Sequence, residues 1–181
     1  METKMIYFVH GTTTDNASKL CSGWKEARLN EVGKEQAYNL GNLVREQGIK
    51  FDVILTSDLI RAIESSNIAF GEYNKIADKR LRECNYGDLD GQHKSLVIYE
   101  QHINQAFPNG ESLKDVENRI RELIKFIKDE YHGKTIGIIA HRAPQLALEV
   151  IINGITWEEA IKNDWRKTGD WQPGWEYIIK D

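Results

Sequence analysis

Two of the five histidines end apolar, strand-like runs: Met5-Ile6-Tyr7-Phe8-Val9-His10-Gly11 and Ile136-Gly137-Ile138-Ile139-Ala140-His141-Arg142. In a parallel α/β sheet such runs are central strands buried on both faces, and ligands bind in the crevice beyond their carboxyl ends. Two imidazoles far apart in the chain can therefore meet in one site. An imidazole there can act as nucleophile, proton carrier or metal ligand. The metal reading needs partners, and the chain has no compact His/carboxylate ligand motif and no Cys/His zinc spacing.

The residues around the histidines favour an oxyanion. After His10, Gly11 lets the backbone approach a ligand, and Thr12, Thr13, Thr14 and Asn16 offer hydroxyls and an amide to oxyanion oxygens. Ser57-Asp58-Leu59-Ile60-Arg61 sets an arginine just inside a predicted helix behind a central strand. There its planar fork can grip phosphate oxygens beside the helix N-terminus, unless it pairs with Asp58 or Glu64. Glu83, between Leu81 and the glycine-marked turn at Gly87 and Gly91, is a place for a tuned acid.

The elements that must position these groups alternate between strand and helix patterns, which predicts an α/β fold. The first strand ends at His10. Asn30 caps a helix carrying Val32, Ala37, Leu40, Leu43 and Val44, stopped at Gly48. Residues 51–56 read as a second central strand, followed by a helix capped by Ser57 or Asp58 and reaching Phe70, then a short edge strand near Ile76. Residues 82–109 have weak periodicity and several breakers, so they predict an excursion over the functional edge of the sheet. Within it, Lys94, Tyr99 and His102 are expected to shape a leaving-group pocket. From Ser112 an amphipathic helix runs to Tyr131, the strand to His141 follows, Pro144 suits the first turn of the next helix, and residues 177–179 close the sheet.

Trp157, Trp165, Trp171 and Trp175 crowd the last part of the chain with Arg166, Lys167 and Pro173. This segment is expected to pack across the sheet and cover its edge, with an aromatic wall over the active site as the alternative.

The bulk properties set the outer limits. The 181 residues, 40% hydrophobic and 29% charged, suffice for one domain over 1–181 that needs no metal or disulfide to hold it. A net charge of −4 and a pI near 5.8 argue against a nucleic-acid partner. Cys21 and Cys84 read as reduced thiols. With no signal-type or membrane-spanning run, the expected compartment is the cytoplasm, with no membrane partner and homodimerisation left open.

The ordered motifs resemble the histidine phosphatase superfamily, in its phosphoglycerate-mutase-like branch. The family opens with Arg-His-Gly-Glu/Gln-Thr-x-x-Asn, matched in register by His10, Gly11, Thr13 and Asn16. Ser57-Asp58-Leu59 with Arg61-Ala62 is similar to its second arginine motif, and Leu81, Glu83 and Gly87 to Gly91 to its general-acid segment. Pro108 to Ser112 resembles its Pro-Gly-Gly-Glu-Ser turn, and residues 138–141 the strand to its second histidine.

The resemblance implies a three-layer α/β/α sandwich with a mostly parallel sheet. It implies a metal-independent phosphomonoester hydrolase that needs no cofactor, acting through a phosphohistidine on a small phosphorylated metabolite. His10 would be the nucleophile and Glu83 the proton donor. Arg61 and His141 would neutralise the equatorial oxygens, with Gly11, Thr13 and Asn16 at the phosphate. A mutase-type phosphotransferase is disfavoured on the expectation that mutases are longer. Three positions depart from the pattern: Val9 stands where the family has arginine, Arg142 where it commonly has glycine, and Thr12 replaces an acidic or amide side chain. Arg142 is the expected substitute for the missing phosphate-binding arginine, with a surface salt bridge as the alternative. A catalytically weak or inactive phosphate-ester-binding protein is the alternative outcome of losing it.

Overall fold

The structure is a computed structural model that describes residues 2–168 and 174–180. Its strands are β1 (Thr3–Val9), β2 (Val53–Thr56), β3 (Lys75–Ala77), β4 (Thr135–Ala140) and β5 (Trp175–Ile179). The α-helices are α1 (Thr14–Ala17), α2 (Glu31–Glu46), α3 (Ile60–Ala69), α4 (Leu113–Glu130), α5 (Arg142–Ile152), α6 (Trp157–Lys162) and α7 (Trp165–Thr168). The sheet order is β3-β2-β4-β1-β5, parallel throughout except for the antiparallel β1–β5 pair.

Alternation along the strands sorts the core into two layers, because successive side chains point to opposite faces. Met5, Tyr7, Leu55, Ile136, Ile138 and Ala140 pack with the buried stripe of α4 (Val116, Ile120, Leu123, Ile127) and with Leu146 and Ala147 of α5. Ile6, Phe8, Ile54 and Ile139 face the other way, against Val44 of α2, Ala62 and Ala69 of α3, and Phe51 and Phe70. Helices on both faces of a mostly parallel sheet make the expected three-layer sandwich.

Local signals explain most boundaries. The Asn30 side chain accepts from the Gly33 N–H at the start of α2, and Ser112 and Asp115 form a reciprocal capping box at the start of α4. The cap of α3 differs from expectation: Leu59 is the N-cap residue. Ser57 Oγ instead accepts from the Leu59 N–H at 3.3 Å, Glu26 takes the Ile60 N–H at 2.9 Å, and Asp58 turns to a bidentate pair with Arg82. The excursion after β3 is a series of short 3-10 turns over residues 79–101. Cys21 and Cys84 are both buried and unpaired with one another. Among the described residues no helix is long and apolar enough to cross a membrane.

Candidate active site

Parallel pairing fixes the register at which the two histidines leave the sheet. Val9 pairs with Ala140, and the His10 N–H donates to the Ala140 carbonyl at 3.1 Å. The imidazoles of His10 and His141 consequently lie with centroids 5.1 Å apart, tilted by 59°. His10 Nδ1 is 2.7 Å from the Gly11 carbonyl oxygen. A carbonyl only accepts, so this contact places the proton on Nδ1 and leaves the Nε2 lone pair available. His141 is fully buried, and neither ring nitrogen has a hydrogen-bond partner among the described residues.

Both imidazoles are held neutral. Burial is the main cause at His10, followed by the positive charge of Arg61, and together they push it down to about 3 against an opposing contribution from the Gly11 carbonyl. His141 is lowered for the same leading reasons, with His10 itself adding to the effect. Arg166 acts in the same direction on both rings.

The structure brings Arg61 and Glu83 to the histidines. Arg61, buried on the first turn of α3, donates to the carbonyls of Gly23 at 2.7 Å and Lys25 at 3.1 Å. It pairs with neither Asp58 nor Glu64, which bind Arg82 and Arg28. Glu83 lies at the N-terminus of α5, directly after His141: Oε1 accepts from the N–H groups of Cys84 and Ala143, both at 2.9 Å, and Oε2 from the Arg142 N–H at 3.1 Å. The otherwise unpaired amides at the start of α5 hold the Glu83 carboxyl in place.

The remaining expected residues divide. Gly11 donates its N–H to Ser65 Oγ at 3.0 Å, and its backbone lies so close to α2 that a Cβ would stand 2.3 Å from the Gly33 oxygen. Thr13 and Asn16 spend their oxygens on each other's main chain, as the capping box of α1. Arg142 projects its guanidinium to the buried Asp164, Nε to Oδ2 at 2.5 Å, and lies 4.2 Å over the Tyr99 ring. Tyr99 is buried beneath it and His102 stacks on Phe107, whereas Lys94 is exposed. Trp157 is a core residue, while Trp165 and Trp175 join Val9, His10, Leu40 and Ser65 around a cavity of about 310 Å³. Trp171 and Pro173 lie outside the described residues.

Sequence reasoning missed four contributors. Ser65 carries no motif. Tyr7 reads as one more apolar strand residue, although its buried hydroxyl binds the main chain of His141. Asp164 and Arg166 pair locally at 3.0 Å in a tryptophan-rich segment that carries no motif, and the contact of Asp164 with Arg142 spans 22 residues without a sequence period. Among the described residues, no group of three or more His, Cys, Asp or Glu side chains is arranged to hold a metal ion.

Known proteins resemble this chain in sequence and in fold. Residues 6–175 match the family model of the histidine phosphatase superfamily (branch 1). The 2,3-bisphosphoglycerate-dependent phosphoglycerate mutase of Bartonella henselae is 31% identical over 181 residues, covering 91% of this chain and 88% of its own length. The expected difference in length from mutases therefore does not separate the two. Among solved structures, the mycobacterial glucosyl-3-phosphoglycerate phosphatase superposes with a TM-score of 0.78 at 22% identity, over 87% of this chain and 85% of that one. YhfR of Bacillus stearothermophilus gives 0.76 at 28% identity, over 87% and 83%. The chain belongs to the histidine phosphatase superfamily.

Proposed function

We propose that the protein is a phosphomonoester hydrolase working through a phosphohistidine at His10. The carrying observation is the pair of neutral imidazoles 5.1 Å apart, with the proton of His10 fixed on Nδ1. Its Nε2 lone pair attacks phosphorus in line, the N–P bond forms and the ester P–O bond breaks. Glu83 gives its proton to the departing alkoxide, then takes one from the water that breaks the N–P bond. Oε2 is the oxygen suited to this traffic, since it holds one main-chain amide where Oε1 holds two.

Arg61 and His141 stabilise charge on the equatorial oxygens. Gly11 seats the turn after His10 against Gly33 of α2, and Thr13 and Asn16 keep that turn in shape. Arg142 contributes through its N–H, which holds Glu83. The substrate is a small phosphorylated metabolite, and no metal or cofactor enters a step.

Transfer to a second substrate is the other reading, raised by the relatives named phosphoglycerate mutase. The two readings differ in what takes the phosphoryl group from His10, water or the hydroxyl of a second substrate. Turnover of a phosphomonoester in 18O-labelled water, with and without 3-phosphoglycerate, tests the choice. Hydrolysis predicts one 18O per phosphate released and no bisphosphoglycerate, whereas phosphoryl transfer to the added acid would overturn it.

A further inference from the structure

Asp164 is fully buried, yet it serves two guanidiniums. Its Oδ2 takes Arg142 Nε, and its Oδ1 takes both Nη1 of Arg166 at 3.0 Å and the Arg166 N–H at 3.1 Å. Both arginine side chains are largely enclosed, 24% and 26% exposed. One carboxylate neutralises one of them. The second carboxylate of the cluster, Glu83, stands against the third guanidinium, Arg61. Arg61 also lies in the field of Glu26 and Asp90, and Arg142 in that of Glu100, so what is left over is the charge that Arg142 and Arg166 share across the one Asp164. A buried surplus of this size is costly unless an anion completes the site. A phosphoryl dianion supplies that charge.

The surplus belongs to Arg166 rather than Arg142. Arg142 is stacked on Tyr99, and its field acts on Tyr99 and Glu100. Arg166 is stacked on Trp165 at 4.5 Å, and Trp165 lines the cavity beside His10. The charge of Arg166 is also felt at His10, His141 and Tyr7. Among the described residues its Nε and Nη2 have no hydrogen-bond partner, so one edge of the fork remains for a ligand. Neither nitrogen of the buried His141 ring has one.

We infer that Arg166, aimed by Asp164 from the segment after α6, binds the equatorial oxygens of the phosphoryl group on His10 and supplies the cation that Val9 does not. This rests on the phosphohistidine reading above. The anion site is thus assembled from two ends of the chain, His10 from the first strand and Arg166 from the segment before the last.

The test is titration of the full-length protein with orthovanadate and with inorganic phosphate, alongside phosphomonoester kinetics, for Arg166→Met, Arg166→Lys and Arg142→Met. Arg166→Met should weaken both anions by about 10- to 100-fold, the loss of one charge-assisted contact. Arg166→Lys should recover part of this, since it keeps the charge and loses the fork. The His10 and His141 ring resonances should titrate at higher pH in Arg166→Met and return toward the parent in Arg166→Lys, which restores the charge, and Arg142→Met should weaken the anions less.

Vanadate binding within twofold of the parent in folded Arg166→Met, with the parent active, would overturn the role of Arg166 and leave the phosphohistidine intact. A parent that binds neither anion and forms no phosphoenzyme would instead overturn the functional reading beneath it. If Arg166→Met does not fold, Arg166→Gln, which keeps a donor for Asp164, is read by the same criteria.

Discussion

The Tyr7 hydroxyl bridges the main chain of His141 from both sides, donating to its carbonyl at 2.7 Å and accepting from its N–H at 3.0 Å. A residue in the middle of β1 thereby sets where β4 ends and at what angle His141 enters the site. The same hydroxyl satisfies two main-chain groups that the break into α5 would otherwise leave buried and unpaired.

Tyr7→Phe should cost about 1–3 kcal/mol of stability, because it orphans buried polar groups without changing the ring. Since His141 is displaced but its side chain kept, kcat should fall more than KM rises. Unchanged kcat in a destabilised Tyr7→Phe would mean that the bridge is structural alone.

Glu83→Gln keeps one acceptor oxygen, enough for the Cys84 and Ala143 N–H groups, turns a donor toward the Arg142 N–H, and removes the transferable proton. Alkyl phosphates should slow by about 10²- to 10⁴-fold, whereas p-nitrophenyl phosphate, whose leaving group needs no protonation, should slow far less. Equal losses would show that Glu83 only anchors the helix.

Gly11 and Gly33 touch through backbone, where a Cβ on either would stand 2.1–2.3 Å from an oxygen of the other segment. Neither has a positive φ, so the requirement is space. Gly33→Ala should destabilise by about 1–3 kcal/mol through overpacking and depress turnover by moving the His10–Gly11 turn. Thermal unfolding and kinetics on the one variant check both.

Lowering of His10 to about 3 also fixes a stability window. An unfolded-state histidine binds its proton near pH 6.5, so between that pH and about 3 the unfolded chain carries a proton that folded His10 does not. The contribution of His10 therefore favours the fold above pH 6.5 and is lost as pH falls toward 3. Denaturant unfolding from pH 7 to 4 should show a shallower pH slope in His10→Gln than in the parent.

The strands, the long helices and the meeting of His10 with His141 were legible because each rests on a local period or on strand ends in a parallel sheet. The cap of α3 was not: Glu26, a residue remote in sequence, takes the amide that Ser57 or Asp58 was expected to take. Arg61 was legible as a site residue, but the Gly23 and Lys25 carbonyls that aim it belong to an irregular segment without pattern. Arg142 was expected to turn its fork toward the phosphate. Asp164 decides its direction, and that long-range ion pair has no signature along the chain.

The most direct test of the account is to quench the enzyme during turnover of a 32P-labelled phosphomonoester and map the label. One phosphoryl group is expected on His10 Nε2, labile in acid, stable in base, and absent from His10→Ala, which should also lose turnover. Label on a serine or cysteine, or full turnover by folded His10→Ala, would contradict it.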